Sequence, residues 1–415
     1  MSIKLKGTTA GSAVILAAPA DTSPTGTEKT FTLPTQDGEA GQILKTDGSG
    51  ALSFTDNLSS GRNLIINGDM RVAQRATSVT GVANSANEGY QSIDRFGLYW
   101  ANAAGGACTV SQSTDVPSNQ GFSNSYKIDV TTADTSLNAN HFIYTSTKLE
   151  AREIRTSGWN YTDPSSYLTL SFWVKSTKAG TYCSTLRSYD TPGAYHYVFE
   201  YTLAASTWTK VTHKIPGHAS LVFDDNSEQG LDIRWNFANG SDRDDHTGNA
   251  WLDNGNGAAT ANQVNFFDST DNDFYLTGVQ LEVGEVATAF ERRSYVEELI
   301  RCQRYFYKIT GNTSDQVSLG LGYCYKGNNT DEHVRLTIFF PVTMRTGPSY
   351  SSNGIRALIV SSTEIGSNSS SSLDESIYSC GIDVGFTSSS LATYNAIQLR
   401  LHNTTDSHLS FSAEL

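Results

Sequence analysis

Apolar and polar residues alternate with a period of two over much of the chain. From Tyr167 to Lys175, Leu168, Leu170, Phe172 and Val174 share one face, while Thr169, Ser171, Trp173 and Lys175 share the other. This is the pattern of a half-buried strand. It recurs at Tyr195 to Leu203, at Thr209 to Ile215, and at Leu231, Ile233, Trp235 and Phe237. Several such strands bounded by polar turns predict a β-sandwich or jelly roll starting near Asn63. One stretch has helical spacing instead. Ser294 with Glu297 three residues on makes a capping box, and Val296, Leu299, Ile300 and Phe306 fall on one stripe before Gly311. A connecting helix within 293–308 is predicted, its stripe either a seam against its own domain or a three-helix contact about a symmetry axis.

Beyond Gly311 the strand pattern returns. Val334, Leu336, Ile338 and Phe340 alternate with Arg335, Thr337 and Phe339, and further strands are expected at Ala357–Val360, Ile377–Val384 and Ile397–Leu401. The serine-rich stretch 361–373 reads as a turn or mobile loop. About a hundred residues of this kind suffice for a small second sandwich. Residues 1–60 differ: short β-prone pieces (Ile3 to Lys6, Ala13 to Leu16, Phe31 to Leu33) lie between Gly, Pro and Asp turns, with aromatics only at Phe31 and Phe54. Such a segment cannot close a core alone, so it is expected to be ordered by copies of itself or by a partner.

Composition narrows the function classes. Charged residues are only 17% of the 415 and aromatics 11%, which suits strands and polar turns rather than helical bundles. A net charge of −13 without a basic stripe argues against nucleic acid and against an anionic membrane surface. Cys108, Cys183, Cys302, Cys324 and Cys380 are scattered and never spaced CxxC, so they read as free thiols rather than a disulfide framework or zinc site. The apolar run Ala13 to Ala18 after Lys4 and Lys6 imitates a secretory signal, but its six residues fall short of the roughly 7–15 needed. No stretch approaches the ~18 apolar residues of a membrane span.

Particular motifs resemble those of tailed-bacteriophage fibre and receptor-binding proteins. LKGTTAGSAVILAAPA (5–20) and FTLPTQDGEAGQILKTDGSGALSF (31–54) look like the low-complexity stem repeats of such fibres. NLIINGDMRVAQR (63–75) with DRF (94–96) resembles the opening of a carbohydrate-binding-like jelly roll. Its close resembles TGVQLEVGEVATAFERRSYVEELIRCQRYFYK (277–308), the most specific of the matches. FFPVTMRTGPSY (339–350) and FSAEL (411–415) resemble the distal domain. The resemblance implies a homotrimer in the virion tail, joined through its N-terminal segment to other tail or baseplate proteins and facing a host surface polysaccharide. It also implies a structural calcium between an acidic residue near the first strand and one near the last. Asp69 and Asp273 fit those places, although Gly278 stands where the motif more often has an aspartate. No other cofactor is expected.

No GxSxG, HExxH, Walker loop or GxGxxG appears, so the usual signatures of an activated nucleophile, catalytic zinc or phosphate cradle are missing. Glycosidase carboxylates carry no fixed spacing. The strongest candidate site is the acidic turn-rich segment holding Asp242, Asp244, Asp245, Trp251 and Asp253, where a ring beside carboxylates has the chemistry of glycan recognition. The alternative is a solvated loop with Trp251 as a hydrophobic plug. Trp159 and Tyr161 form a second aromatic loop. Trp173, on a polar strand face, is expected to be covered by the fold or a neighbouring subunit, with sugar as the alternative. His141, His196 and His213 lack ligand spacing.

The sequence thus predicts an all-β chain: an intertwined β stem over 1–60, a central jelly-roll β-sandwich over 61–292, the short connecting helix, and a small C-terminal β-sandwich over 309–415. The expected function is non-enzymatic adhesion to host polysaccharide. Two rivals remain, a tail-associated glycan depolymerase and a structural tail connector that binds no receptor. A depolymerase releases reducing ends, an adhesin binds cells and leaves the polymer intact, and a connector does neither.

Overall fold

Two units make up the chain in a computed structural model, Met1–Ser60 and Gly61–Leu415. The structure describes residues 2–6, 13–17, 32–35, 42–46, 49 and 51–56 of the first unit. From Gly61 onward it describes all but the short segments 85–87, 102–103, 194, 254–256, 312–316, 327–331, 361–362, 388–390, 392–395, 403 and 405. In the first unit Ser2–Lys6 pairs antiparallel with Ala13–Ala17, and Gln42–Thr46 with Leu52–Asp56. Thr32 bridges Ala51 in parallel, while Phe31 lies outside the described residues. None of this unit's described side chains is buried, and Leu33, Leu44 and Phe54 are exposed.

In the second unit the period-two alternation becomes two facing six-stranded antiparallel sheets. The first runs Thr209–Pro216, Tyr167–Ser176, Asp273–Val283, Ser125–Thr132, Ala107–Ser113, Ser78–Ala83. The second runs Trp251–Asp253, Tyr195–Leu203, Gly180–Ser188, Gln229–Asn239, Phe142–Glu150, Gly97–Ala101. Leu168, Leu170, Phe172 and Val174 meet Ile233, Trp235 and Phe237 in one core. Trp235 lies 5.7 Å from the Phe172 ring and 6.1 Å from Phe96, so aromatic packing adds to area burial at the centre. One irregularity matters below. Ser171 faces Gln280 but Trp173 faces Thr277, so the strand Asp273–Val283 carries an extra residue there. Gly278 accommodates that bulge with a φ of 62°, which costs glycine nothing.

The helix is shorter than the spacing predicts. It spans Tyr295–Gln303, and the chain then turns into the strand Phe306–Thr310. Ser294 is the N-cap, its Oγ accepting from the Glu297 N–H at 3.1 Å. Only Leu299 of the helix's apolar stripe joins a seam, half-buried against the cluster of Ile66, Val72, Cys302 and Tyr305. Val296 and Ile300 are exposed, whereas Glu298 and Cys302 are buried. Glu298 tolerates burial because it accepts the Asn67 N–H and lies 3.5 Å from Arg293.

Beyond it, Phe306–Thr310, His408–Ser412 and Ser349–Asn353 form a three-stranded sheet. The seven-stranded sheet runs Thr363–Gly366, Ile355–Val360, Ala396–Leu401, Ser318–Lys326, Glu332–Phe339, Ser379–Phe386, Ser369–Leu373. The serine-rich stretch is therefore not simply a loop. Its two short strands are the opposite edges of one sheet, and only Ser367 and Asn368 separate them, so the sheet curls nearly closed. Serine hydroxyls suit exposed edges that need no apolar face. A second core, including Val334, Ile382, Leu399 and Phe411, fills the curl.

The two cores are tied together by charge. Arg304 grips Glu150 with two parallel bonds of 2.7 and 2.8 Å, and the Tyr305 hydroxyl donates to the same carboxylate at 2.6 Å. Glu414 pairs with Arg95 and with Arg75, and Lys148 Nζ donates to the Leu415 carbonyl at 2.8 Å. All five cysteines are buried and unpaired. Among the described residues no helix is long and apolar enough to cross a membrane.

Candidate functional site

The sequence-predicted sugar platforms face inward. Trp251 is only 6% exposed, its indole N–H donates to the Pro216 carbonyl at 2.7 Å, and its ring packs 5.5 Å from Tyr197. No face is left for a sugar, so Trp251 is the plug rather than the platform. Asp242, Asp245 and Asp253 stand exposed and Asp244 half-buried. Trp159 is equally unavailable. It is 3% exposed, donates to the Ser166 carbonyl at 3.2 Å and packs against Phe223, which also takes the half-buried Tyr161 edge to face at 5.1 Å.

Nor does the fold bring Asp69 and Asp273 together as calcium ligands. Gly68 packs on Val279, six residues and roughly 20 Å along the strand from Asp273 at about 3.3 Å per residue, so the backbone next to Asp69 meets the other part of that strand. Each already has a cation. Arg71 holds Asp69, whose pKa burial nonetheless raises, and Lys127 lies 2.9 Å from Asp273. Gly278 does not stand in for a missing ligand. It is needed for the bulge, and a Cβ there would lie 2.6 Å from the Phe122 ring.

That close approach marks a different site, on the outer face of the first sheet. The alternation of Tyr167–Ser176 turns Ser171 and Trp173 away from the core, and pairing sets Lys210 beside Trp173. The loop between Ser113 and Ser125 brings Gln120 and Phe122 up on one side, and the chain after Val283 brings Thr288, Ala289, Phe290 and Arg292. Together with Gly278 these ten residues line a cleft of ≈ 340 Å³. Trp173 is half-buried and lines the opening. Phe122 and Phe290 meet edge to face at 5.2 Å, and the Arg292 guanidinium lies 4.9 Å from the Phe122 ring. Arg292 also donates to the Gly121 carbonyl at 2.7 Å and to the Gln120 carbonyl, joining the two walls.

The same face continues beyond the cleft. Trp208 donates to Asp115 at 3.0 Å, Lys175 pairs with that carboxylate, and the Lys175 ammonium sits 4.3 Å from the Tyr275 ring. Burial opposes ionisation of Asp115, but the bonds from Lys175 and Trp208 prevail and lower its pKa. Chemically, the cleft offers an aromatic ring, the Ser171 hydroxyl, an amide and two cations, a set that stacks on a sugar ring and bonds its substituents, while the Thr288 hydroxyl is held by Glu282 and Arg62. Sequence reasoning singled out Trp173 as an aromatic on a polar strand face but expected it to be covered. What the sequence could not show is that two loops more than 160 residues apart flank it, so that it is framed rather than covered.

No family model and no curated protein matches the chain. Among solved structures, the enzymatically active domain of bacteriophage CBA120 tailspike protein 4 is similar over 55% of this chain at 13% identity and a TM-score of 0.28. This chain spans only 22% of that domain's length. A family 11 carbohydrate-binding module of a Clostridium thermocellum cellulase is similar over 51% of this chain and 99% of its own, at 14% identity and a TM-score of 0.25. A protein described as a sugar-binding protein of Bacteroides thetaiotaomicron is similar over 54% of this chain and all of its own, at 10% identity and a TM-score of 0.26. At such scores the likenesses carry no argument about this chain, and the functional reading rests on the cleft and on the sequence motifs.

Proposed function

We propose that the chain is an adhesion subunit of a bacteriophage tail whose second unit binds a host surface polysaccharide in the cleft around Trp173 without cleaving it. The observation that carries the reading is the placement of Trp173, an aromatic residue on the solvent side of the sheet between walls that hold polar groups. A strand holds such a ring in place before the ligand arrives, so little ordering cost falls on binding. Each cleft binds weakly, because sugar hydroxyls exchange water bonds for protein bonds at small net gain. Three copies on one axis raise the avidity through effective concentration.

The phage setting, the homotrimer and attachment to other tail or baseplate proteins rest on the motif resemblance. The first unit supports association, since none of its described side chains is buried. Binding is favoured over hydrolysis by the lining itself. None of the ten residues is Asp or Glu, whereas most glycosidases set two carboxylates across the scissile bond. The test is Trp173→Ala in the full-length chain, with host-cell binding and release of reducing ends measured together. The variant should lose cell binding and keep its melting temperature. Reducing ends released by the parent would replace adhesion with depolymerisation, and unchanged binding would remove the cleft from the reading.

A further inference from the structure

We propose that the saccharide taken by this cleft is anionic, bearing carboxylate, sulfate or phosphate groups; the proposal rests on the cleft being a saccharide site. Among the ten lining residues are two cations, Lys210 and Arg292, and no carboxylate, in a chain whose net charge is −13. The other lysines on this outer face already have acidic partners. Lys175 pairs with Asp115, Lys127 with Asp273 at 2.9 Å, and Lys214 with Glu285 at 3.1 Å. Lys210, exposed beside Trp173, has no acidic partner among the described residues, so its ammonium and three donors remain available.

Arg292 is pre-set rather than loose. Its guanidinium lies against Phe122 and Phe290, and two of its N–H groups are spent on the Gly121 and Gln120 carbonyls. Three of the five N–H donors are left in a fixed plane, the geometry that matches the paired oxygens of a carboxylate, sulfate or phosphate. A neutral sugar needs acceptors as well as donors for its hydroxyls. This lining supplies donors in excess, its side-chain acceptors being the Gln120 amide and the Ser171 hydroxyl, besides backbone carbonyls, since the Thr288 hydroxyl is taken up by Glu282 and Arg62. An acceptor-rich ligand is the complement, and the two lining cations favour its approach to a protein of negative net charge.

The test uses the full-length protein and matched polymers that differ only in charge: polygalacturonate against its methyl ester, and dextran sulfate against dextran. The acidic member of at least one pair should bind more tightly by roughly tenfold or more, the size of one charge-assisted contact. That preference should shrink as salt rises from about 0.05 to about 0.5 M. Lys210→Gln should lose most of it, and Trp173→Ala should abolish binding to both members. Arg292→Gln should act like Lys210→Gln; if losing its carbonyl bonds unfolds the loop, Lys210→Gln, whose side chain has no acidic partner to lose, decides alone. Equal binding to both members that depends on Trp173 but not on Lys210 overturns the anionic inference and leaves the saccharide site standing. Binding that ignores Trp173→Ala, or no binding to any of the four polymers, overturns both.

Discussion

Trp173 and Trp251 separate two roles that one residue type can play. Trp251 lies in the core with its indole N–H satisfied, so Trp251→Ala leaves a cavity and is expected to cost about 3–5 kcal/mol, read by chemical denaturation. An unchanged denaturation midpoint would put Trp251 outside the core. His213 is a second residue with a defined prediction. It stacks on Phe199 at 4.1 Å with Tyr197 Oη 3.2 Å from its Nε2, and burial pushes its pKa down to about 4. The folded state holds the ring neutral, while the unfolded chain takes up a proton below about 6.5. The stability His213 contributes is therefore fully present above pH 6.5 and is lost as the pH falls towards 4. Asp94 titrates with the opposite slope, since burial pushes its carboxyl up to about 6. The His213 effect is thus read as a difference: His213→Phe should flatten the decline between pH 6.5 and 4, and identical pH profiles for both proteins would exclude the assignment.

At the scale of elements, the helix start is the feature best resolved from sequence. Ser294→Ala removes the acceptor for the Glu297 N–H and should lower stability by about 0.5–2 kcal/mol, with oligomeric state unchanged. A melting curve that does not move would mean the first turn is held by other contacts. The end of the same helix was not legible. Phe306 continues the helical stripe in sequence, yet Phe306–Thr310 pairs with His408–Ser412, a partner about a hundred residues away. Likewise the serines of 369–373 read as a loop by composition but take strand geometry because Ser379–Phe386 offers an edge to pair with. Local propensity loses to pairing in both places.

For the molecule as a whole, the contact between the two cores hangs on a few buried charges. Arg95 is 1% exposed, lies 3.5 Å from the Tyr305 ring centre and pairs with Glu414. Glu414→Ala leaves that guanidinium buried without its carboxylate and is expected to cost about 3–5 kcal/mol, seen as an earlier denaturation midpoint. A loss below about 1 kcal/mol would mean that water reaches Arg95 and the junction is looser than its geometry. The proposed homotrimer is tested at the same scale by light scattering of the full-length chain, where a clean monomer at micromolar concentration would sink it. The exposed Val296 and Ile300, and Leu33, Leu44 and Phe54 of the first unit, are the places where such association would bury apolar surface.

By itself the sequence determined the strand faces, because the side-chain period of a strand is local: Leu168, Leu170, Phe172 and Val174 could only pack on one side once Tyr167–Ser176 was extended. It determined the helix cap for the same reason, since Ser294 and Glu297 meet within one turn. Which aromatic stays partly exposed was decided only by tertiary structure. Trp251 is buried against Tyr197 and beneath the Pro216 carbonyl, and Trp173 is framed by residues 120–122 and 288–292, contacts set by sheet order and loop paths rather than by neighbours in the chain. The separation of Asp69 from Asp273 follows from the same cause, because chain position near a first and a last strand says nothing about which end of the strand a residue occupies.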